Sequence, residues 1–327
     1  MHIDASGATL GNGGFAMLVN FANEVANLGY EISVFDQEDR LRLEHFRWLS
    51  LAEVRFTIVP LEKVLSASGD YVIVTGWLTS LLPKLRCRLW GRLFGGSKIA
   101  GHLRVWSHDE LLRDRCGAAR QFCRKYQVKI ATAHPALMKY YNALGLRDVI
   151  PIENWIRADL YYSDDWVVAR KVMGSIGHQP DIRTRTGKRE GEVLELLKAH
   201  FGEDNVILCV GHENRDVAAR MRSADFYVFY NRPKATIGMF RGEGFGLSLF
   251  EAMACGCVCI AGAHEGNKFL ADTIPLAHDI SEVVPVVKRL RDNPAEKEAI
   301  RARSQDLMER RFRFDRVRRH AVAEFLA

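Results

Sequence analysis

Short hydrophobic runs alternate with helical segments along this chain, and the series starts twice. In the first half, apolar positions 15–28 have helical spacing, and strands are predicted at 30–35, 70–75, 97–102 and 128–132. In the second half, strands are predicted at 168–176, 205–210, 225–229 and 257–261, with a helix at 190–200. Buried strands separated by helices indicate parallel, doubly wound sheets. The pattern therefore predicts an α/β protein with domains at 1–160 and 161–305.

Composition narrows the class of protein. The chain has 327 residues, of which 48% are hydrophobic and 26% are charged, as expected for a soluble globular enzyme. It contains neither an apolar run of membrane-spanning length nor a secretory leader pattern. The 7 cysteines include no C-x-x-C pair, which favours a reducing compartment. We therefore expect a cytoplasmic enzyme.

The segment 241–254 contains the most informative chemistry. Its glycines allow a ligand to approach the backbone, and the helix formers that follow predict a helix start suited to a phosphate. Ionised Glu243 and Glu251 are hydrogen-bond acceptors that suit hydroxyl groups. A phosphate between two hydroxyl-rich groups describes a nucleotide sugar. The predicted donor-binding residues here are Gly244, Phe245, Gly246, Leu247 and Glu251.

The same segment resembles the E-x7-E signature of the retaining glycosyltransferases of family 4. That resemblance implies the GT-B fold, in which two Rossmann-like domains face a cleft, with a final helix at about 306–327 packed back on the first domain. It implies transfer from a UDP- or GDP-type sugar donor to a hydroxyl-bearing sugar or lipid-linked acceptor, as in envelope or glycolipid synthesis. The configuration would be retained without metal or cofactor. Glu243 would hold the donor sugar as a catalytic residue, and Glu251 would hold the ribose diol.

A glycine loop near the amino terminus permits two interpretations. Gly11, Gly13 and Ala16 fit the G-x-G-x-x-A pattern, with acidic Asp36 after the next strand. This pattern favours an NAD- or FAD-dependent oxidoreductase. The resemblance instead makes Gly13 and Gly14 a loop near the donor phosphates.

Position alone suggests a catalytic histidine. His102 lies at the carboxyl end of the strand predicted at 97–102, where ligands bind in open α/β sheets. The resemblance places a histidine near the reacting centre after this strand. A structural histidine is the alternative, and His108 beside Asp109 competes for the role.

This chain differs from the resembling family in the cations that are expected to bind the diphosphate. The resembling family has an arginine and then a lysine, whereas this chain has His178 where the arginine is expected. Lys188 matches the lysine, and either Arg183 or Arg185 could supply the second cation. The alternative for this loop is a solvated basic surface. A further alternative is that the chain is a catalytically silent subunit that binds a nucleotide sugar.

Residues 78–98 combine five cations with leucines and two aromatic residues, and no acidic residue. This composition predicts an amphipathic element on an anionic membrane, at the cytoplasmic face. An ordinary helix with a basic outer face would look similar. We expect no nucleic-acid partner, because no recognition motif accompanies the charge.

Overall fold

A computed structural model gives the architecture. It describes residues 1–5, 13–36, 41–42, 46, 49, 54–66, 71–75, 103–107, 121, 124, 128–133, 135–143, 145–146, 148–154, 156–162, 172–178, 190–210, 213–230, 246–313 and 315–327. The chain divides into two compact units. The first contains Met1–Trp155, Ile237–Phe240 and Asp315–Ala327; the second contains Ile156–Thr236 and Arg241–Phe314. The division after Trp155 is five residues earlier than the predicted boundary.

The first unit has a parallel sheet of seven strands in the order β3-β2-β1-β4-β5-β6-β7. The strands are β1 His2–Asp4, β2 Ser33–Phe35, β3 Thr57–Ile58, β4 Tyr71–Thr75, β5 Leu103–Ser107, β6 Lys129–Thr132 and β7 Ile150–Pro151. Its helices include α1 Gly13–Asn27, α2 Leu61–Ser66 and α3 Pro135–Ala143. Apolar side chains on one face of α1 are fully buried, as the helical spacing predicts.

Strand β5 begins directly after the strand predicted at 97–102, whose residues lie outside the described part of the chain. The described strand begins at Leu103, so its carboxyl end is at Ser107, five residues beyond His102. The prediction missed it because Arg104 interrupts the apolar run, although its guanidinium is buried. Arg104 Nε donates to the carbonyl of Phe325 at 2.6 Å. His102 itself lies outside the described residues, so its catalytic role stays a prediction.

The C-terminal helix Asp315–Leu326 packs within the first unit. The aromatic rings of Phe21 and Phe325 meet edge to face, with centroids 6.4 Å apart. Arg319 Nε donates to Glu24 at 2.9 Å. This helix starts at 315 rather than at about 306, because residues 308–313 form a π-helical turn in the second unit.

The second unit has a parallel sheet of five strands in the order β12-β11-β10-β8-β9. They are β8 Val172–His178, β9 Val206–Leu208, β10 Ala224–Phe229, β11 Val258–Gly262 and β12 Leu276–Ala277. Its helices include α4 Ala158–Tyr161, α5 Glu190–Phe201, α6 Asn214–Ser223, α7 Leu247–Ala254, α8 Val283–Asp292 and α9 Pro294–Leu307. The strand order reverses between β8 and β10. Ligands of open α/β sheets bind at such a switch point, outside the carboxyl ends of the strands.

A buried ion cluster joins α9 to the amino end of β10. Asp225 Oδ1 accepts from Arg301 Nη2 at 2.6 Å, and Oδ2 accepts from Lys297 Nζ at 3.1 Å. The backbone N–H of Gly174 also donates to Oδ2, at 2.9 Å. All three charged side chains are buried. The cluster lies at the sheet edge opposite the switch-point ligand edge, so we assign it to stability.

Candidate functional site

The start of α7 lies against the carboxyl end of β10. Gly246 is the N-cap residue, and no side chain caps this helix end. A Cβ built on Gly246 would lie 2.6 Å from both Cε1 and Cζ of Phe229, the last residue of β10. Only glycine fits against this ring without movement. The uncapped helix start is thereby placed at the ligand edge of the sheet, where its N–H groups suit a phosphate.

Glu251 lies on α7, one turn after its start, beside residues of α4. The Tyr161 hydroxyl hydrogen-bonds the Glu251 carboxyl, and the Arg157 charge acts on it as well. Tyr161 is buried, and the Glu251 carboxyl is desolvated although the residue as a whole keeps partial exposure. Arg157 is held in turn by Asp159, which accepts from Nε at 3.1 Å and from Nη2. Glu251 is therefore fixed by one neutral donor and one nearby cation.

The electrostatic setting of Glu251 differs from that of a surface carboxylate. Burial raises the pKa of Glu251 from 4.5 to about 7, although the Tyr161 hydrogen bond and the Arg157 charge act in the opposite direction. Burial also raises the pKa of Tyr161 well above 10, reinforced by the Glu251 charge. Tyr161 thus remains a hydrogen-bond donor. Near neutral pH, Glu251 exists in both protonation states and can accept hydroxyl groups when ionised.

His178 stands at the switch point. Its Nδ1 lies 2.9 Å from the carbonyl oxygen of Val228 in β10, and a carbonyl only accepts, so Nδ1 carries the proton. Burial lowers the pKa of His178, against the effect of the Val228 hydrogen bond. The ring is therefore neutral near pH 7. It does not supply the permanent positive charge of the arginine expected there.

Comparison with known proteins relates part of this sequence to a family model and the whole chain to a known fold. The family model described as glycosyl transferase-like matches residues 185–324. HepE from Anabaena, solved with UDP and glucose, superposes with a TM-score of 0.70 at 14% identity, covering 99% of this chain and 98% of that one. Sucrose-phosphate synthase from Thermosynechococcus elongatus gives 0.65 at 14% identity, covering 99% and 98%. The chain therefore has the GT-B fold, and its residues 185–324 match a glycosyl transferase-like family model.

A third solved structure has the same fold. WaaG, a glycosyltransferase involved in lipopolysaccharide biosynthesis, superposes with a TM-score of 0.61 at 12% identity, covering 100% of this chain and 99% of that one. No curated protein sequence matches this chain significantly. The described part of the chain contains no helix long and apolar enough to cross a membrane.

The structure places the predicted site residues as follows. Gly246, Leu247 and Glu251 share the first turns of α7 in the second unit. Gly13 and Gly14 are the first residues of α1 in the first unit. The remaining predicted residues lie outside the described part of the chain: His102, Arg183, Arg185, Lys188, Glu243, Gly244 and Phe245.

Sequence reasoning missed the two residues that support Glu251. Tyr161 and Arg157 lie far from the E-x7-E segment in the sequence and have no motif of their own. They meet Glu251 because α4 packs against α7 in the folded unit. The one feature of the sequence that could have drawn attention to these two residues is that they lie near the predicted domain boundary.

Gly246→Ala tests the fit of the helix start. The added methyl group would overlap the Phe229 ring, so we expect a loss of about 1–3 kcal/mol in the free energy of unfolding. Nucleotide affinity should fall with it, because the helix start must shift. Gly191→Ala is the control, since a Cβ there meets nothing within 4 Å. Denaturation and titration measure both effects; equal behaviour of the two variants would contradict the packing argument.

Glu251→Gln should raise stability at pH 8 and leave it nearly unchanged at pH 4.5. The folded-state pKa of about 7 exceeds the ordinary 4.5, so the folded protein binds more protons between these values and wild-type stability falls as pH rises through this window. The maximum increase in the free energy of unfolding is about 3 kcal/mol. Urea denaturation at both pH values measures it.

Glu203→Gln is the matched control for this pH dependence. The Lys198 hydrogen bond lowers the pKa of Glu203, so its contribution has the opposite sign. Because Glu203 is exposed, its effect should be small. If Glu251→Gln gained nothing at pH 8, the buried-carboxyl account of Glu251 would be wrong.

Proposed function

We propose that this protein is a glycosyltransferase that moves a sugar from a UDP- or GDP-sugar to a hydroxyl acceptor, with retention of configuration and without a bound metal. The observation that carries the proposal is the Glu251 carboxyl, held by Tyr161 one turn inside a helix that starts at the switch-point edge. A nucleotide fits this arrangement, with its diphosphate at the helix start and its ribose diol on Glu251. The HepE structures with UDP and with UDP-glucose support a UDP-type donor.

The remaining roles follow from the resemblance. Glu243 would bind hydroxyl groups of the donor sugar. Lys188 and one of Arg183 or Arg185 would balance the charge of the departing diphosphate. Their positive charge matters more here because His178 is neutral. In front-face transfer, the bond from the anomeric carbon to phosphate breaks, the bond to the acceptor oxygen forms, and the leaving phosphate takes the acceptor proton.

A transfer assay tests this function. UDP-glucose, UDP-N-acetylglucosamine and GDP-mannose are incubated with sugar acceptors in the presence of EDTA, and nucleoside diphosphate release is measured. We expect one donor to turn over and its product to show the α configuration by NMR. Glu243→Ala should bind the nucleoside diphosphate normally and lose transfer. A β product, or turnover only with added metal, would contradict the proposed mechanism.

We also propose that residues 78–98, which lie outside the described residues, bring the enzyme to a lipid-linked acceptor. Each Lys or Arg near an anionic surface contributes about 1 kcal/mol, so the cations there could recruit the protein reversibly. Liposome co-sedimentation should show binding to anionic vesicles at low salt that is lost at high salt. Replacing Arg86, Arg88 and Arg92 with Ser should abolish it. Equal binding to neutral vesicles would argue against this surface.

A further inference from the structure

Two buried histidines stand at the ligand edge of the second unit, on opposite sides of β10. His178 is the last residue of β8, and His264 follows β11 by two residues. Because the order is β11-β10-β8 and all three strands are parallel, both residues lie at the carboxyl edge. Two strand spacings separate β8 from β11, which is about 10 Å. The β8/β10 switch point lies within this span.

His178 offers a hydrogen-bond acceptor. Its Nδ1–H is committed to the Val228 carbonyl at 2.9 Å, so Nε2 carries the lone pair. This Nε2 is buried and has no hydrogen-bond partner among the residues that the structure describes. An exposed acceptor would be satisfied by bulk water, whereas a buried one costs free energy until a ligand or an ordered water donates to it.

His264 offers the complementary donor. The Asn267 Nδ2 donates to the carbonyl of Gly262 at 3.0 Å, which fixes the orientation of the amide. The same Nδ2 lies 3.0 Å from His264 Nε2, so Nε2 accepts and Nδ1 carries the proton. His264 Nδ1 is also buried without a hydrogen-bond partner in the described part of the chain. The two rings thus present one acceptor and one donor.

Both rings are suited to an uncharged group. Burial lowers the pKa of His264 to about 4 and also lowers that of His178, so both are neutral at pH 7. Phosphate oxygens accept hydrogen bonds and would oppose the lone pair of His178 Nε2. A hydroxyl group both donates and accepts. A sugar, with several hydroxyl groups a few ångströms apart, therefore matches both rings.

We propose that His178 and His264 bind hydroxyl groups of the transferred sugar, His178 as acceptor and His264 as donor, and so determine which sugar the enzyme transfers. This inference rests on the proposed nucleotide-sugar donor. In this arrangement the sugar lies at the switch-point edge, and the two histidines bind it together with Glu243.

Calorimetric titration with UDP, GDP, UDP-glucose, UDP-N-acetylglucosamine and GDP-mannose tests the inference. His178→Asn keeps a donor for the Val228 carbonyl and removes Nε2. His264→Gln keeps an acceptor for Asn267 and removes the Nδ1 donor. His200→Asn is the matched control, because its Nδ1 also meets a carbonyl, that of Leu196 at 2.9 Å, but the ring is exposed on α5. Thermal unfolding confirms that each variant is folded.

The preference for the best nucleotide sugar over its nucleoside diphosphate should fall about fivefold in each site variant, with affinity for the nucleoside diphosphate unchanged. The control should keep the wild-type preference. Unchanged preference in both site variants overturns the inference, and equal loss of both ligands overturns it by placing the histidines on the nucleotide. If the wild type binds none of the ligands, the proposed function fails as well.

Discussion

Asp225→Asn should destabilise the second unit by about 3–5 kcal/mol, since it leaves two buried cations without their carboxylate. Lys297 and Arg301 both contact Asp225, and all three side chains are buried. The amide retains nearly the same volume, so the loss reports charge rather than packing. Denaturant unfolding of the wild type and the variant measures the difference.

Asp306→Asn is the matched control for Asp225→Asn. Asp306 pairs with Arg310 on the surface of the same unit, and both side chains are mostly exposed. An exposed pair contributes about 0–1 kcal/mol, so this variant should unfold almost like the wild type. If both variants lost equal stability, the buried cluster would not have the structural role assigned to it.

Glu251→Ala should weaken binding of the nucleoside diphosphate at pH 8 by tenfold or more. At this pH the carboxyl is mainly ionised, because its pKa is about 7. Losing a hydrogen bond to a charged acceptor costs about 1.5–3 kcal/mol, which corresponds to roughly ten- to hundredfold. Isothermal titration with UDP and GDP measures the change.

Two further variants separate the causes of this loss. Tyr161→Phe removes the hydrogen bond that holds Glu251, so its nucleotide affinity should fall at neutral pH and recover as pH rises. Glu203→Ala, on the exposed surface of the same unit, should bind like the wild type. If Glu251→Ala bound the nucleoside diphosphate as tightly as the wild type, Glu251 would not be part of the binding site.

The elements with strong periodicity could be predicted from the sequence. Helix α5 and strand β10 occur within one residue of their predicted bounds, because their patterns are uninterrupted. Strand β5 could not be predicted, because the buried guanidinium of Arg104 donates to carbonyl groups that lie 221 and 222 positions later in the sequence. Tertiary contacts of this kind leave no local signal.

The candidate site, too, could be predicted from the sequence only where local patterns determine it. The glycine and glutamate pattern predicted a helix that starts beside Gly246 and presents Glu251, and the described helix α7 has this form. The pKa of Glu251 was not predictable, since it depends on burial and on Tyr161 from another element. The neutral state of His178 likewise depends on Val228, which becomes its neighbour only when β8 pairs with β10.

Hydrogen–deuterium exchange with and without saturating UDP or GDP tests the donor site most directly. If the nucleotide lies at the start of α7 with its ribose on Glu251, amides of Leu247–Ala254 and Ala158–Tyr161 should exchange more slowly when it is bound. Amides of Pro294–Leu307, on the cluster side, should not change. Protection confined to Gly13–Asn27, with Leu247–Ala254 unchanged, would contradict the account and favour a nucleotide site in the first unit.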